Sequence, residues 1–210
     1  MVEISLKLKI NMLQEQRKKF KKFENVTGEI FSKLRLTPDQ YTLISLFFVV
    51  LSFVFLIRVN LIFALIFFLI SAFLDFIDGA VARFTQNATK KGAYLDTICD
   101  RYVEGIILLG FLFLPLANFL LPAKVWIFLA FFGSLMTTYA KAAAKEKGLI
   151  DRELKKGLFG RPERIILIIM ALFLGVFDFS WMIYPLVFLA VFSNITVCQR
   201  IFLALAPSQD

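Results

Sequence analysis

Long apolar runs separated by short charged clusters organise this chain. A helix that crosses a bilayer needs about 20 mostly apolar residues. Six stretches meet or approach that length: Tyr41–Ile57, Leu61–Phe84, Ala93–Leu121, Val125–Ala144, Arg161–Ser180 and Trp181–Leu205. The fifth is the weakest, because its uncharged run, Ile165–Phe177, is short; it crosses only if its charged first turn, Arg161–Arg164, lies among the headgroups. The first span has a clear start. In Thr37-Pro38-Asp39-Gln40, Thr37 is placed as N-cap, Pro38 takes the first helical position, and Gln40 completes a capping box. Asn118 and Pro122 mark the turn between the third and fourth spans, and Gly148 and Gly157 bracket a polar loop after the fourth.

The N-terminal pattern is different. Ile4, Leu6, Leu8 and Ile10 alternate with polar residues, a strand-like period. From Leu13 the period becomes helical, through Phe20, Phe23, Ile30, Phe31 and Leu34, with Arg17, Lys18, Lys19, Lys21 and Lys22 between them. This reads as a basic amphipathic segment on the membrane surface, against the alternative of a solvated charge run. The apolar run comes too late for a cleavable signal peptide. The expected fold is an all-α integral membrane protein: six transmembrane helices preceded by a basic amphipathic juxtamembrane segment. The expected division is an N-terminal segment, residues 1–36, and a six-helix domain, residues 37–210.

Composition narrows the class. Hydrophobic residues make up 59% of the chain, mean hydropathy is +0.76, and there are 26 Phe. A soluble domain is usually about 45–50% apolar, so a soluble globule, a disordered chain and a disulfide scaffold are all excluded. Of the 24 basic residues, only Arg58 and Lys124 fall on one side of the expected spans. The remainder lie on the other, which puts both termini in the cytoplasm of a multi-pass cell-membrane protein. The net charge of +8 then reflects topology and contact with anionic lipid, and nucleic acid is not an expected partner. The chain has no His, which removes imidazole as base, nucleophile or metal ligand. Cys99 and Cys198 sit in apolar stretches without CxxC spacing and read as buried free thiols.

Four carboxylates inside the apolar stretches carry the chemistry. Asp75 and Asp78 are three residues apart on the second span, and Asp96 and Asp100 four apart on the third, so each pair lies on one helix face. An ionised Asp at the membrane centre costs about 2.5–3.5 kcal/mol on insertion scales. Four cost on the order of 10 kcal/mol if uncompensated, before mutual repulsion. Arg83 and Arg101 cannot neutralise all four, whereas a divalent cation can. An all-oxygen set favours Mg²⁺, Mn²⁺ or Ca²⁺ over zinc, and four carboxylates from two helices suit a two-metal site of the kind that serves phosphoryl chemistry. Two alternatives stay open on the carboxylates alone: groups solvated at helix ends, or an ion pathway through a transporter. A continuous polar path is missing, since the outer halves of the spans are almost entirely Phe, Leu, Ile and Val.

The full string is Asp75-x2-Asp78-Gly79-x2-Ala82-Arg83, eight residues, Gly92, three residues, Asp96, three residues, Asp100. It resembles the signature of the CDP-alcohol phosphotransferase family at every specified position, and the resemblance extends to six spans, the basic N-terminal segment and the Leu-Thr-Pro-Asp lead into the first span. Members of that family transfer a phosphoalcohol unit from a CDP-alcohol to a second alcohol and release CMP. The resemblance implies that residues 37–210 are a CDP-alcohol phosphotransferase domain in which Asp75, Asp78, Asp96 and Asp100 bind Mg²⁺ or Mn²⁺, as two ions. It implies that Asp100 is also catalytic, taking the proton of the acceptor hydroxyl. It further implies that Arg83 pairs with the pyrophosphate of the CDP-alcohol, that Gly79 and Ala82 leave room for the cytidine, and that the enzyme is a homodimer. A carboxylate is the plausible base in a chain without His.

A second basic set, Lys141, Arg161, Arg164 and Arg200, falls on the same side as the aspartates. Arg161 and Arg164 share the first turn of the fifth span, where the helix N-terminus adds to their pull on an anion. The set suggests a pocket for a phosphorylated acceptor, with plain positive-inside anchoring as the alternative. Tyr139-Ala-Lys141-Ala and Gly160-Arg161-Pro-Glu-Arg164 look like the branch that uses inositol phosphate, archaetidylinositol phosphate and phosphatidylinositol phosphate synthases. The expected reaction is therefore phospholipid biosynthesis from a CDP-lipid and a phosphorylated polyol, myo-inositol 1-phosphate. Phosphatidylglycerophosphate synthases and di-myo-inositol phosphate phosphate synthases are the competing branches, and a divalent-cation transporter the competing class.

Overall fold

The computed structural model describes residues 21–150 and 159–206. These form α1 (residues 21–32), α2 (Pro38–Ile57), α3 (Leu61–Phe84), α4 (Lys90–Phe111), α5 (Ala123–Glu146), α6 (Arg161–Phe177), a 3-10 turn (Phe179–Met182) and α7 (Ile183–Leu205). No strand occurs among the described residues beyond one isolated bridge between Phe119 and Leu121. The alternating Ile4–Ile10 stretch, the first part of the basic segment through Phe20, and Gly157 lie outside the described residues.

Several boundaries differ from the sequence pattern. The expected Ala93–Leu121 span is helical from Lys90 and stops at Phe111. Pro115 accounts for the stop: its ring would clash with the carbonyl four residues back, at Phe111, and it offers no N–H. Residues 112–122 instead form a non-helical connection in which the Asn118 side chain accepts from the Ala123 N–H at 3.1 Å. Their Leu and Phe content disguised a loop as helix. The expected Arg161–Ser180 span ends at Phe177, where Asp178 turns extended and its carboxylate accepts from Ser180 N–H at 2.7 Å. The fourth runs longer than Val125–Ala144, and the last begins with the 3-10 turn before Trp181. Among the described residues, four helices are long and apolar enough to cross a membrane: Pro38–Ile57, Leu61–Phe84, Ala123–Glu146 and Phe179–Leu205. α4 carries too many charges to qualify, and α6 has only 17 residues, about 25 Å of helix.

The caps follow the local sequence. The Thr37–Gln40 box forms reciprocally: Thr37 N–H donates to Gln40 Oε1 at 2.8 Å, and Gln40 N–H donates to Thr37 Oγ1 at 3.3 Å. α3 ends with Gln86 at φ 56, and α2 with Val59 at φ 61. In both turns the next N–H reaches back five residues, Asn87 to Ala82 and Asn60 to Phe55, in the Schellman manner.

The chain divides into two compact units. Among the described residues, one holds 21–45 together with Phe73–Cys99; the other holds Leu46–Ala72 and the described residues from Asp100 onward. In the first, α1 is seated on the end of α3. A Cβ at Gly28 would lie 2.6 Å from the Ala80 carbonyl, so only glycine permits this approach. Phe23 stacks on Phe76, Phe31 meets Phe73 edge-on, and Tyr41 Oη donates to the Phe31 carbonyl at 2.8 Å. Phe23, Val26, Ile30 and Leu34 remain exposed along one stripe, with Lys21 and Lys22 outside it. Such a stripe suits the headgroup boundary of a bilayer.

The second unit contains the main apolar core, including Phe68, Ile107, Phe111, Ile168, Leu172 and Leu189. α5 and α6 both pack on α7. Within lipid, burial alone gives no drive to helix association, so close packing and interhelical hydrogen bonds must supply it. Asn194 of α7 does so by donating to the Leu129 carbonyl of α5 at 3.0 Å, and it also donates to the Ala190 carbonyl of its own helix at 2.8 Å. Phe47, Ile62, Phe128, Phe173, Phe188 and Phe202 stay exposed, as lipid-facing residues do in a multi-pass membrane protein.

Candidate active site

In the first unit the motif folds as a carboxylate cluster. Asp75, Asp78 and Asp96 each present an oxygen within 4.8 Å of the others. Two local facts produce this: one helical turn separates Asp75 from Asp78, and the second turn of α4 brings Asp96 to them. Asp78 is 6% exposed, and Thr42 Oγ1 donates to its Oδ2 at 2.7 Å, which fixes the carboxylate's rotation. The donor set is all oxygen and fits a hard divalent cation. Three carboxylates this close in a low-dielectric setting repel strongly unless a cation lies among them.

The same unit holds a cavity of about 180 Å³ lined by Asp39, Thr42, Asp78, Gly79, Ala82, Arg83, Thr89, Gly92 and Asp96, among others. Gly79, Ala82 and Arg83, expected to hold the CDP-alcohol, are thus gathered with two of the aspartates. Arg83 folds back over Gly79; a Cβ there would lie 3.0 Å from Arg83 Nη2. The Arg83 Nε edge is ion-paired to Glu24 of α1. Gly92 admits the Asp39 carboxylate, whose Oδ1 would be 2.9 Å from an added Cβ, while its own N–H donates to Thr89 Oγ1 at 2.9 Å.

In the second unit, α4, α5, α6 and α7 each contribute to a charged cluster. Asp100, the last carboxylate of the motif, pairs with Arg161 Nη2 at 2.7 Å and lies 3.7 Å from Arg101 Nη2. Arg164 is 2% exposed and grips Glu104 through Nε and Nη2 at 3.1–3.2 Å, with Nη1 donating to Thr137 Oγ1 at 3.2 Å. Arg101 donates to both Glu104 oxygens at 3.1 and 3.2 Å. Arg200 Nη1 donates to the Thr137 carbonyl. Lys141 is half-buried on α5. Of the four expected acceptor-binding residues, Arg164 is held by a carboxylate, Glu104, that the sequence reading passed over, Arg161 by Asp100, and Arg200 by the Thr137 carbonyl. A signal existed, since Glu104 continues the Asp96–Asp100 face by another four residues. Its partner Arg164, however, is 60 residues away. Asp39, Thr42, Glu24 and Thr137 were also missed.

Comparison with known proteins agrees with this geometry. The family model described as CDP-alcohol phosphatidyltransferase matches residues 35–198. The chain is 33% identical to the archaetidylinositol phosphate synthase of Pyrococcus horikoshii over 91% of this chain and 95% of that protein. It is 30% identical to the phosphatidylinositol phosphate synthase of Mycobacteroides abscessus, over 88% and 84%. The phosphatidylinositol phosphate synthase of Mycobacterium tuberculosis, solved with CDP-DAG bound, superposes with a TM-score of 0.74 at 26% identity, over 89% of this chain and 96% of that one. The same enzyme solved with manganese and citrate gives the same score and identity, over 88% and 90%. The fold, the aspartate spacing and these likenesses agree that the chain belongs to the CDP-alcohol phosphatidyltransferase family and is a membrane CDP-alcohol phosphotransferase.

Proposed function

We propose that the enzyme transfers a phosphatidyl or archaetidyl group from a CDP-lipid to a phosphorylated polyol, myo-inositol 1-phosphate, with release of CMP. The observation that carries the acceptor class is the gathering of four arginines in the second unit, where Arg101 and Arg164 pair with Glu104, Arg161 pairs with Asp100, and Arg200 donates to the Thr137 carbonyl. The similar synthases named above act in the same branch. Two neutral alternatives, free inositol or another unphosphorylated alcohol, would bring no negative charge to these guanidinia.

In this reading Asp75, Asp78, Asp96 and Asp100 hold two ions of Mg²⁺ or Mn²⁺. When bound, the ions neutralise the pyrophosphate and the departing CMP. Arg83 offers its Nη edge to a pyrophosphate oxygen, and Gly79 and Ala82 leave space for the cytidine. The acceptor hydroxyl oxygen forms a bond to the phosphorus that carries the lipid alcohol, the P–O bond to CMP breaks, and the hydroxyl proton passes to Asp100. Arg161, Arg200 and Lys141, supported by Arg164, hold the acceptor phosphate. All six expected spans cross the cell membrane in this account. α4 crosses with its charged half in the inner region and α6 with its first turn among headgroups. Both termini and the site face the cytoplasm, residues 1–36 lie along the surface, and residues 37–210 form the transferase domain. The exposed apolar face of α4 and α5, around a cavity of about 510 Å³ lined by Leu109, Phe128 and Phe131, is the homodimer surface of this reading.

The test is CMP release from CDP-diacylglycerol, CDP-archaeol or CDP-inositol, each with inositol 1-phosphate, glycerol 3-phosphate or free inositol. The expected result is turnover with a CDP-lipid and inositol 1-phosphate. Preference for glycerol 3-phosphate or CDP-inositol would move the enzyme to one of the two neighbouring branches. Equal use of free inositol would remove the phosphate pocket.

A further inference from the structure

We infer that Glu104 is the positioning residue of the acceptor site: it binds the Arg164 guanidinium as a buried pivot and braces Thr137 and Arg200 through it. This rests on the reading that the basic cluster of the second unit takes the acceptor phosphate.

Glu104 is 2% exposed on α4, and a buried carboxylate persists only when paired and fully hydrogen-bonded. Both of its oxygens accept from two guanidinia, Arg101 and Arg164. Every nitrogen of Arg164 is already engaged inside the protein: Nε and Nη2 go to Glu104 and Nη1 goes to Thr137 Oγ1. It is therefore a poor phosphate fork and a good strut. Thr137 Oγ1 donates onward to the Ser134 carbonyl at 2.8 Å, the carbonyl that also receives Arg101 Nη1 at 3.2 Å. The Thr137 carbonyl receives Arg200 Nη1. One turn of α5 is thus tied to charged side chains from α4, α6 and α7, with Glu104 at the root of the ties.

Two observations point from this frame to an anion. Arg200 Nε and Arg101 Nε are buried without a hydrogen-bond partner among the described residues. Buried donors of this kind are costly unless a ligand or water completes them. The second is charge. Arg101, Arg161, Arg164 and Arg200 come together here, and a phosphate monoester, which carries about −1.5 to −2 near neutral pH, is the kind of anion such a cluster attracts. Removing Glu104's charge takes away the shared anchor of Arg101 and Arg164 and releases Arg164, Thr137 and Arg200 from their fixed relation.

The test is steady-state kinetics of Glu104→Gln, Glu104→Asp and Thr137→Val, with CDP-diacylglycerol as donor and myo-inositol 1-phosphate as acceptor. Glu104→Gln is expected to raise the acceptor KM about tenfold or more, the effect of losing charge-assisted bonds, with the donor KM within about twofold. Glu104→Asp should recover part of that loss, and Thr137→Val should raise the acceptor KM a few-fold, about threefold, by cutting one strut. A role confined to stability would instead lower the amount of active enzyme without separating the two KM values. An unchanged acceptor KM, or equal rises in both, overturns the assignment. If Glu104→Gln does not accumulate in the membrane, Thr137→Val decides by the same criterion. Free inositol serving the wild type as well as its phosphate would defeat the acceptor reading itself. A wild type that requires the phosphate, with variants of normal acceptor KM, would defeat only the role of Glu104.

Discussion

The aspartate cluster and the arginine cluster of this enzyme both draw on α4, the charged helix of the fold, and they balance their charge in different ways. Asp75, Asp78 and Asp96 crowd within 4.8 Å, with a threonine hydroxyl at Asp78 and a cavity beside them. Arg101 and Arg164 are locked onto Glu104, and Arg161 onto Asp100. The first cluster is short of positive charge and calls for a cation. The second is dominated by guanidinium groups, which suits an anionic substrate. A residue's formal charge in a motif therefore says little about what it binds until its protein partner is known. Arg83 and Arg164 illustrate this: Arg83 is exposed and held on its Nε edge by Glu24, whereas Arg164 is buried and fully engaged.

The sharpest way to break the comparison is to remove one carboxylate from the first cluster. Asp96→Asn should abolish CMP release, a fall of about a thousandfold or more, and weaken Mn²⁺ binding measured by titration, because the proposed four-aspartate set then loses one carboxylate ligand. Near-normal turnover in this variant would make the cluster a set of solvated acids. Asp100→Asn comes next. General-base catalysis contributes about 10²–10⁴-fold, so kcat should fall by that order while CDP-alcohol affinity, read by equilibrium binding, stays largely intact. Equal loss of affinity and turnover would make Asp100 chiefly a metal ligand.

Arg200→Ala probes the second cluster more gently. Charge-assisted hydrogen bonds contribute about 1.5–3 kcal/mol, so the acceptor KM should rise about tenfold or more with little change in the donor KM. Matching changes in both constants would merge the two clusters into one anion site. The smallest effect lies away from both. Val59 holds φ 61 at the end of α2, a strained conformation for a β-branched residue. Val59→Gly should raise the melting temperature in detergent slightly, by no more than about 1 kcal/mol of stability, without altering either KM.

What the sequence revealed divides along the same line. The aspartate cluster was legible because its members come from two helices adjacent in the chain, at spacings that place each pair on one face. The Thr37–Gln40 cap was legible for the same local reason. Glu104 was not, because its meaning depends on Arg164 in a helix 60 residues later. Glu24 was hidden within a basic segment, where its pairing with Arg83 depends on how Gly28 seats α1 on α3. The end of α4 was misread because the Leu112–Pro122 connection is as apolar as a span, and only Pro115 marks the break. Apolar composition reports the surroundings of a segment, and backbone hydrogen bonding decides whether it is helical.

The most direct test of the account is CMP release by the purified enzyme with CDP-diacylglycerol and inositol 1-phosphate, first in excess chelator and then after adding Mg²⁺ or Mn²⁺. The account requires no release in chelator, recovery on adding either ion, and no recovery in Asp96→Asn. Full activity in excess chelator would contradict it, because the aspartate cluster would then work without the cation its charge demands.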